Sequence, residues 1–346
     1  MFIAPEHNLT TLYYGNMMNS LRTFPEGERN CYTLKPREGK NQNYYVRAFF
    51  YYGNYDSKNQ AHKFDLYIGV NYWATVVDDK DGTYNSIIYY SVTDTIYVCL
   101  VNTGSGVPFI NGLDLRFMND SPYTTMNGFL IHVVHADLGL YPNQSSSSIR
   151  YKDDVFDRIW SVGNLTDSVS ISTETNIDIQ SSDDPYCLPV EVLRTAVQPR
   201  NGLNSLSYTY APQYTESFTP KFLVYFHFVE IEQIAPGELR EFNITLNGLN
   251  YGPFTLEYLK LLTIGPNKLQ VPEDQVMFSI DATWRSDLPP ILNAFEIFEL
   301  RPLRYSPTNQ TDGMFSISIL LNAIIIVINE LLDYWIEGFL RFDPSS

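Results

Sequence analysis

Between positions 44 and 140 the apolar residues come in short runs rich in Tyr, Phe, Val and Ile, each cut off by a turn signal. Gly53-Asn54, Asp78-Asp-Lys-Asp-Gly82, Asn102-Thr-Gly-Ser-Gly106 and Asn127-Gly128 are the clearest breaks. The run Phe64-Asp-Leu-Tyr-Ile-Gly-Val-Asn alternates in part, as a strand with one wet face does. Past residue 160 the same texture returns at 168–172, 242–249 and 276–280. Helical spacing is scarce; residues 190–197 predict a short helix before Pro199. Many short strands at close intervals predict an all-β chain of sandwich or jelly-roll type.

The C-terminal stretch follows another rule. Residues 314–328 are apolar except for Ser316, Ser318 and Asn322, and Glu330 and Asp333 follow. Ile328, Leu331, Leu332, Trp335, Ile336, Phe339 and Leu340 then recur at the spacing of one helix face, so an apolar helix is expected over 314–340. The apolar run is several residues short of the roughly 20 that cross a bilayer. Both a span and an interfacial helix stay open, so membrane association through the tail is an expectation.

The pattern also repeats. From Val46 to Phe64 is 18 positions, and from Val224 to Phe242 is again 18. Pro108-Phe-Ile-Asn-Gly-Leu-Asp-Leu115 aligns with Pro290-Ile-Leu-Asn-Ala-Phe-Glu-Ile297, placing Asn111 on Asn293 and Asp114 on Glu296. A repeat of this size means two copies of one domain. The first is expected over 1–142 and the second over 161–304, joined by a junction at 143–160 that opens with Pro142, Asn143, Gln144 and four serines. Residues 305–346 form the divergent tail. Within the junction Arg150, Lys152 and Arg158 alternate with Asp153, Asp154 and Asp157, which suits a segment clamped between domains by ion pairs. Tyr151, Phe156, Ile159 and Trp160 would supply its apolar contacts.

Arg150-Tyr-Lys-Asp-Asp-Val-Phe-Asp-Arg-Ile-Trp160 resembles the segment joining the halves of the malectin-like extracellular region in plant leucine-rich-repeat receptor-like kinases. Leu21-Arg-Thr-Phe-Pro-Glu-Gly-Glu-Arg-Asn-Cys-Tyr-Thr-Leu34, Phe50-Tyr-Tyr-Gly-Asn-Tyr-Asp56, Val101-Asn-Thr-Gly-Ser-Gly-Val-Pro-Phe-Ile110 and Leu288-Pro-Pro-Ile-Leu-Asn-Ala-Phe-Glu-Ile297 fit the same family. The resemblance covers residues 3–312. It implies two tandem malectin-like β-sandwiches and a recognition module for a cell-wall carbohydrate, a peptide or a co-receptor. The repeats, membrane span and kinase that follow in the family are not seen after residue 312, so a truncated form is expected. Met1-Phe-Ile-Ala-Pro-Glu-His lacks the features of a secretory signal. The resemblance implies that a signal and an opening strand precede this start, and that the protein belongs to the secretory pathway and cell surface.

Composition narrows the partners. Aromatics make up 15% of the chain, with 26 Tyr and 21 Phe, which suits sheet faces and also offers flat surfaces to sugars. The formal net charge of −16 removes nucleic acid from consideration, because a phosphate-binding face needs clustered Lys and Arg. Three cysteines are too few for a disulfide scaffold. Cys31 and Cys99 both fall in the first copy, and their pairing, which would leave Cys187 free, stays open. Sequons at Asn8, Asn119, Asn143, Asn164, Asn243 and Asn309 favour a glycosylated, exported protein. Asn243 falls in a predicted strand and Pro122 follows the Asn119 site, which weakens those two.

No Walker loop, nucleophile elbow or His-Glu-X-X-His is present. His132 and His135, three apart in a predicted strand, should face opposite ways and share no metal. Asp78–Gly82 reads as a hairpin turn: with Gly82 at the sixth position of a calcium loop, the first falls on Val77 and the bidentate Glu has no counterpart. Glycoside hydrolysis needs two opposed carboxyl groups. Asp153 and Asp154 diverge, while Glu230 and Glu232 share a face but read as solvated charge. A lectin-like surface asks for less, and Tyr52, Asn54, Tyr55 and Asp56, with Tyr72 and Trp73, are the candidates; the competing reading makes them a sandwich edge. The sequence therefore predicts a non-catalytic binder without cofactor or metal, with a carbohydrate-active enzyme and a decoy for full-length receptors as alternatives.

Overall fold

The computed structural model describes residues 1, 3, 15–77, 81–119, 121–123, 128–139, 153–163, 165–177, 184–200, 205–212, 220–266, 270–271 and 275–303. The tail with its expected helix, and Asn8, Asn143, Arg150, Tyr151, Asn164 and Asn309, lie outside these residues. In chain order the strands of the first half are β1 (Arg22–Thr23), β2 (Arg29–Leu34), β3 (Gln42–Phe50), β4 (Lys63–Ile68), β5 (Asn71–Val77), β6 (Thr83–Ser91), β7 (Ile96–Ser105), β8 (Phe109–Ile110), β9 (Gly112–Phe117) and β10 (Gly128–Leu138). There follow β11 (Ser161–Gly163), β12 (Ser168–Ser172), the helical turn α1 (Val190–Leu193), β13 (Thr195–Pro199), β14 (Ser205–Tyr210), β15 (Lys221–Val229), β16 (Glu241–Leu246), β17 (Leu249–Thr255), β18 (Leu261–Ile264), β19 (Gln270–Val271), β20 (Val276–Ala282) and β21 (Ala294–Pro302). The described chain is mostly β. The helix expected over 190–197 amounts to one turn, after which the chain extends to pair β13 with β12.

Side-chain period explains which strand goes where. β4 buries Phe64, Leu66 and Ile68 and turns the alternate residues toward solvent, so it has one wet face. β3 and β15 are instead buried along nearly their whole length, as central strands covered on both faces. They lie in a nine-stranded sheet whose main path is β18-β15-β21-β10-β6-β3-β9. A four-stranded sheet in the order β2-β7-β4-β5 packs on the first-half part of it through Val46, Phe50, Phe64, Leu66 and Leu100. A second, in the order β14-β20-β16-β17, packs on the second-half part through Val224, Phe226, Phe242, Ile244 and Phe278. The strand order of the small sheets is the same once each half is numbered from its own start.

Cys31 and Cys99 face each other across the β2–β7 ladder and form a disulfide; Cys187 is free and exposed. The turn expected at Asp78–Gly82 does not join a hairpin. Residues 78–80 lie outside the described residues, and the flanking β5 and β6 lie in different sheets and are not paired.

The aligned asparagines do the same task in each half. Asn111 accepts a hydrogen bond from the Tyr51 amide at 2.7 Å and donates to the carbonyls of Met18 and Ser20. Asn293 accepts from the Val229 amide at 2.8 Å and donates to the carbonyls of Leu193 and Thr195. Each therefore fastens the end of a central strand to the segment that enters the sandwich, pairing backbone groups that burial would otherwise orphan.

Candidate functional site

Where the halves meet, one backbone ladder joins them, shifted by a bulge between His132 and Val134. β10 pairs with β21 from Gly128↔Pro302 to Asp137↔Ala294. The face of this shared sheet away from the small sheets is covered by residues 153–160. Phe156 packs with Tyr45, Leu130, Tyr123 and Phe298, and Trp160 with Val192, Val229 and Ile291.

The charged groups of this segment reach in opposite directions. Asp157 is fully buried and pairs with Arg47 of β3 and with Arg116 of β9 at 2.9 Å. Arg47 also donates to Asp114 at 2.8 Å, so the first half holds this end. Asp154 accepts from Arg158 Nε at 2.8 Å and from the Trp160 indole at 2.7 Å. Arg158 Nη1 then donates to the Tyr123 hydroxyl at 2.7 Å, and Tyr123 donates to Glu296 of β21 at 2.6 Å. Arg158 Nη2 also donates to the Cys187 carbonyl at 2.9 Å, so this end reaches the second half directly as well as through Tyr123 of the first. Burial opposes the Arg158 charge, but Asp154 and Glu296 keep its pKa above the ordinary value. Asp153, by contrast, is exposed.

Glu296 is the centre of the cluster. His227 Nε2 lies 3.0 Å from Oε1 and His135 Nε2 lies 3.2 Å from Oε2. Burial would raise its pKa, yet hydrogen bonding to the two histidines and the Arg158 charge hold the carboxyl well below the usual range. Burial lifts the Tyr123 hydroxyl well above its ordinary value. The carboxylate is thus a fixed anion, and the groups around it are buried and closed to substrate. Such an arrangement orients two strands against each other and offers little to catalysis.

The expectation that His132 and His135 face apart is overturned. A bulge between His132 and Val134 shifts the register, and the two rings lie 4.2 Å apart. Burial and His135 push His132 well below its ordinary pKa. Among the described residues no cluster of three or more His, Cys, Asp or Glu is arranged to hold a metal ion.

The aromatic candidates are mostly committed to the fold. Tyr52 is 6% exposed, and its hydroxyl donates to Asp56 and lies 3.3 Å from Asn54 Oδ1. Burial and the Asp56 bond push that hydroxyl up to about 12. Tyr55 packs edge-on against Tyr52, and His62 and Phe109 close the group. Trp73 is 1% exposed inside the first core and presents no face to a sugar. Tyr72 bonds Thr75 at 2.8 Å and carries the Arg301 guanidinium over its ring.

The reading of Glu230 as solvated is also corrected, whereas the Glu232 side chain stays 43% exposed. Glu230 is 1% exposed and takes Arg240 Nε at 2.6 Å, while Glu232 takes Nη2 of the same arginine at 2.7 Å. A shared guanidinium between them rules out the two-carboxyl geometry of a glycosidase. Of the sequons, Asn119 is exposed, and Asn243 shares with Thr245 the half-exposed face of β16, opposite Phe242, Ile244 and Leu246.

Two features escaped the sequence reading. The Tyr123–Glu296–His227 group was signalled only by a lone acid within Ala294-Phe-Glu-Ile-Phe298. Trp284, 94% exposed on the turn after β20, was signalled only by a tryptophan among Thr, Arg, Ser and Asp.

Comparison with known proteins places this architecture. The profile of the malectin-like domain matches residues 3–300. The chain is 39% identical over 307 residues to a probable LRR receptor-like serine/threonine-protein kinase of Arabidopsis thaliana, covering 86% of this chain and 34% of the relative. It is 35% identical over 315 residues to a putative leucine-rich repeat receptor-like protein kinase of the same plant, covering 90% and 34%. The chain thus spans about a third of the length of these relatives. Among solved structures, the ANX2 ectodomain from Arabidopsis thaliana superposes with a TM-score of 0.64 at 15% identity, covering 85% of this chain and 86% of that one. A structure of the plant peptide RALF23 in complex with FER and LLG2 gives 0.63 at 16% identity, covering 86% and 85%. Fold, length of match and sequence agree: this chain belongs to the malectin-like domain family.

Proposed function

We propose that the chain is a tandem pair of malectin-like domains acting as the non-catalytic recognition part of a cell-surface receptor, with a secreted peptide and a co-receptor protein as its partners. The observation that carries this reading is the seam: Asp157 is bound to the first half, and Arg158 is bound both to Tyr123 of the first half and to the Cys187 carbonyl of the second. A body fixed in this way holds two surfaces in a constant relation, which simultaneous contact with a peptide and a second protein requires. The solved complex of similar fold, which pairs a receptor with a peptide and a third component, supports the partner classes. Exposed Asn119 and half-exposed Asn243 fit glycosylation in the secretory pathway, as do the sequons outside the described residues.

The test is binding of a secreted-peptide library to the full chain, with and without candidate co-receptor ectodomains. Saturable peptide retention that tightens when a co-receptor is added is expected. Absence of retained peptide, or turnover of oligosaccharides by the chain, would contradict the reading. Carbohydrate is a second class of ligand, favoured by one observation: the bare indole of Trp284.

A further inference from the structure

The nine-stranded sheet and the two four-stranded sheets each end in a strand with a free side, and most of these ends are blunted. β2 carries Arg29, whose guanidinium donates to the Gly69 carbonyl. β9 carries Asp114 and Arg116, tied to Arg47 and Asp157. β17 contains Gly252-Pro253, and Arg301 lies over Tyr72 of β5. β18 is four residues long. Charge, proline and shortness keep a free row of N–H and C=O groups from pairing with another chain.

β14 has neither charge nor proline. Its sequence is Ser205-Leu-Ser-Tyr-Thr-Tyr210, and among the described residues it pairs with β20 alone. That ladder runs from Ser205↔Asp281 to Tyr210↔Val276, so the strand is in place before anything binds. Its other side presents backbone donors and acceptors over about 20 Å. The strand in the same position of the first half is β2, which has Arg29 and the disulfide to β7. The fold therefore does not demand a bare edge here.

The side chains and the charge select the occupant. Leu206, Tyr208 and Tyr210 turn inward, and Ser205, Ser207 and Thr209 are exposed. Tyr208 packs on Phe295 of β21 with ring centroids 4.8 Å apart, so the inner side of an added strand meets aromatic rings and the outer side meets hydroxyls. A segment alternating apolar and hydroxyl residues matches both. A second copy of the chain is disfavoured, because each carries a formal net charge of −16. Carboxylates stand at both ends of the strand. Asp281 lies opposite Ser205, and at the other end burial and then the Glu299 carboxylate, which shares Arg301, raise the Tyr210 hydroxyl. A basic segment fits where an acidic copy does not.

We propose that β14 is the docking edge for an extended, basic peptide segment, which joins the β14-β20-β16-β17 sheet as a further strand. This rests on the recognition reading and names the peptide's site, charge and conformation. The test is calorimetric titration of the full chain with an acetylated, amidated octapeptide of alternating Thr and Val closed by Lys at each end. Saturable binding is expected. N-methylation of its inner amides, which deletes backbone donors and leaves every side chain in place, should weaken it by about tenfold or more. The same peptide closed by Glu should bind more weakly than the Lys form. Ser207→Lys combined with Thr209→Lys changes two exposed side chains and should reverse that order. No saturable binding of the Lys form, equal binding of the N-methylated form, or an order unchanged in the double variant would overturn the proposal. Secreted-peptide capture left intact in the double variant would also overturn this site while sparing the recognition reading, which fails only when the unaltered chain captures none.

Discussion

The loops that follow β3 and β15 occupy the same place in the two halves and are closed by opposite chemistry. After β3, Tyr52, Tyr55, His62 and Phe109 stack on one another, and one hydroxyl–carboxylate bond orders the tip. After β15, Glu230 stands where Tyr52 stands, and buried Arg240 closes the loop through ion pairs. The asparagine that fastens the preceding strand is the same in both. The difference teaches that this fold preserves what satisfies its backbone, while the side-chain plug above it is free to change from apolar to ionic. A stacked plug tolerates loss of one member; an ionic plug does not, because its partner is left charged in a dry site.

The largest effect should therefore fall on the ionic plug. Arg240→Met strands buried Glu230 and is expected to cost about 3–5 kcal/mol in chemical denaturation. Adding Glu230→Gln should restore most of this. Next come the clamps. Asn293 is fully buried and Asn111 is half-buried. Asn293→Ala should cost about 3 kcal/mol and Asn111→Ala less, since water reaches its orphaned partners. Equal costs would break the parallel between clamp burial and clamp strength.

A pH measurement sharpens the contrast at the seam. Asp137 of β10 is buried and accepts a hydrogen bond from Thr195 Oγ1 at 3.2 Å, and burial raises it to about 7. Its unfolded value is about 3.9. Folding thus favours the protonated form: the contribution is whole below about pH 4 and lost as pH rises through about 7. Stability should fall across that window, and Asp137→Asn should flatten the slope and add about 2 kcal/mol at pH 8. The smallest effect belongs to the aromatic plug. Tyr52→Phe removes the hydroxyl bond to a half-buried Asp56 and should cost about 1 kcal/mol.

Much of this was legible in the residues. Alternation placed β4, the spacing of Val46–Phe64 and Val224–Phe242 marked corresponding strands, and Asn111 and Asn293 aligned before their shared task was visible. The junction acids and arginines were legible as ion pairs, though not that Asp157 would turn to the first half while Arg158 reached both. What failed depended on distance in the fold. Glu230 read as solvated because nothing local says that Arg240, ten residues on, folds back onto it. His132 and His135 read as opposed because a period of two carries no sign of a bulge at Val133. Trp73 stood as a candidate sugar platform beside the sandwich-edge reading because sequence gives a residue's type and not its side of the sheet.

Calorimetric unfolding of the full chain tests most directly whether the seam makes one body of the two halves. One transition is predicted, with calorimetric and van't Hoff enthalpies in agreement, splitting into two when Arg158→Met removes the pin. Two separate transitions in the unaltered chain, or a single one undisturbed by Arg158→Met, would contradict the account.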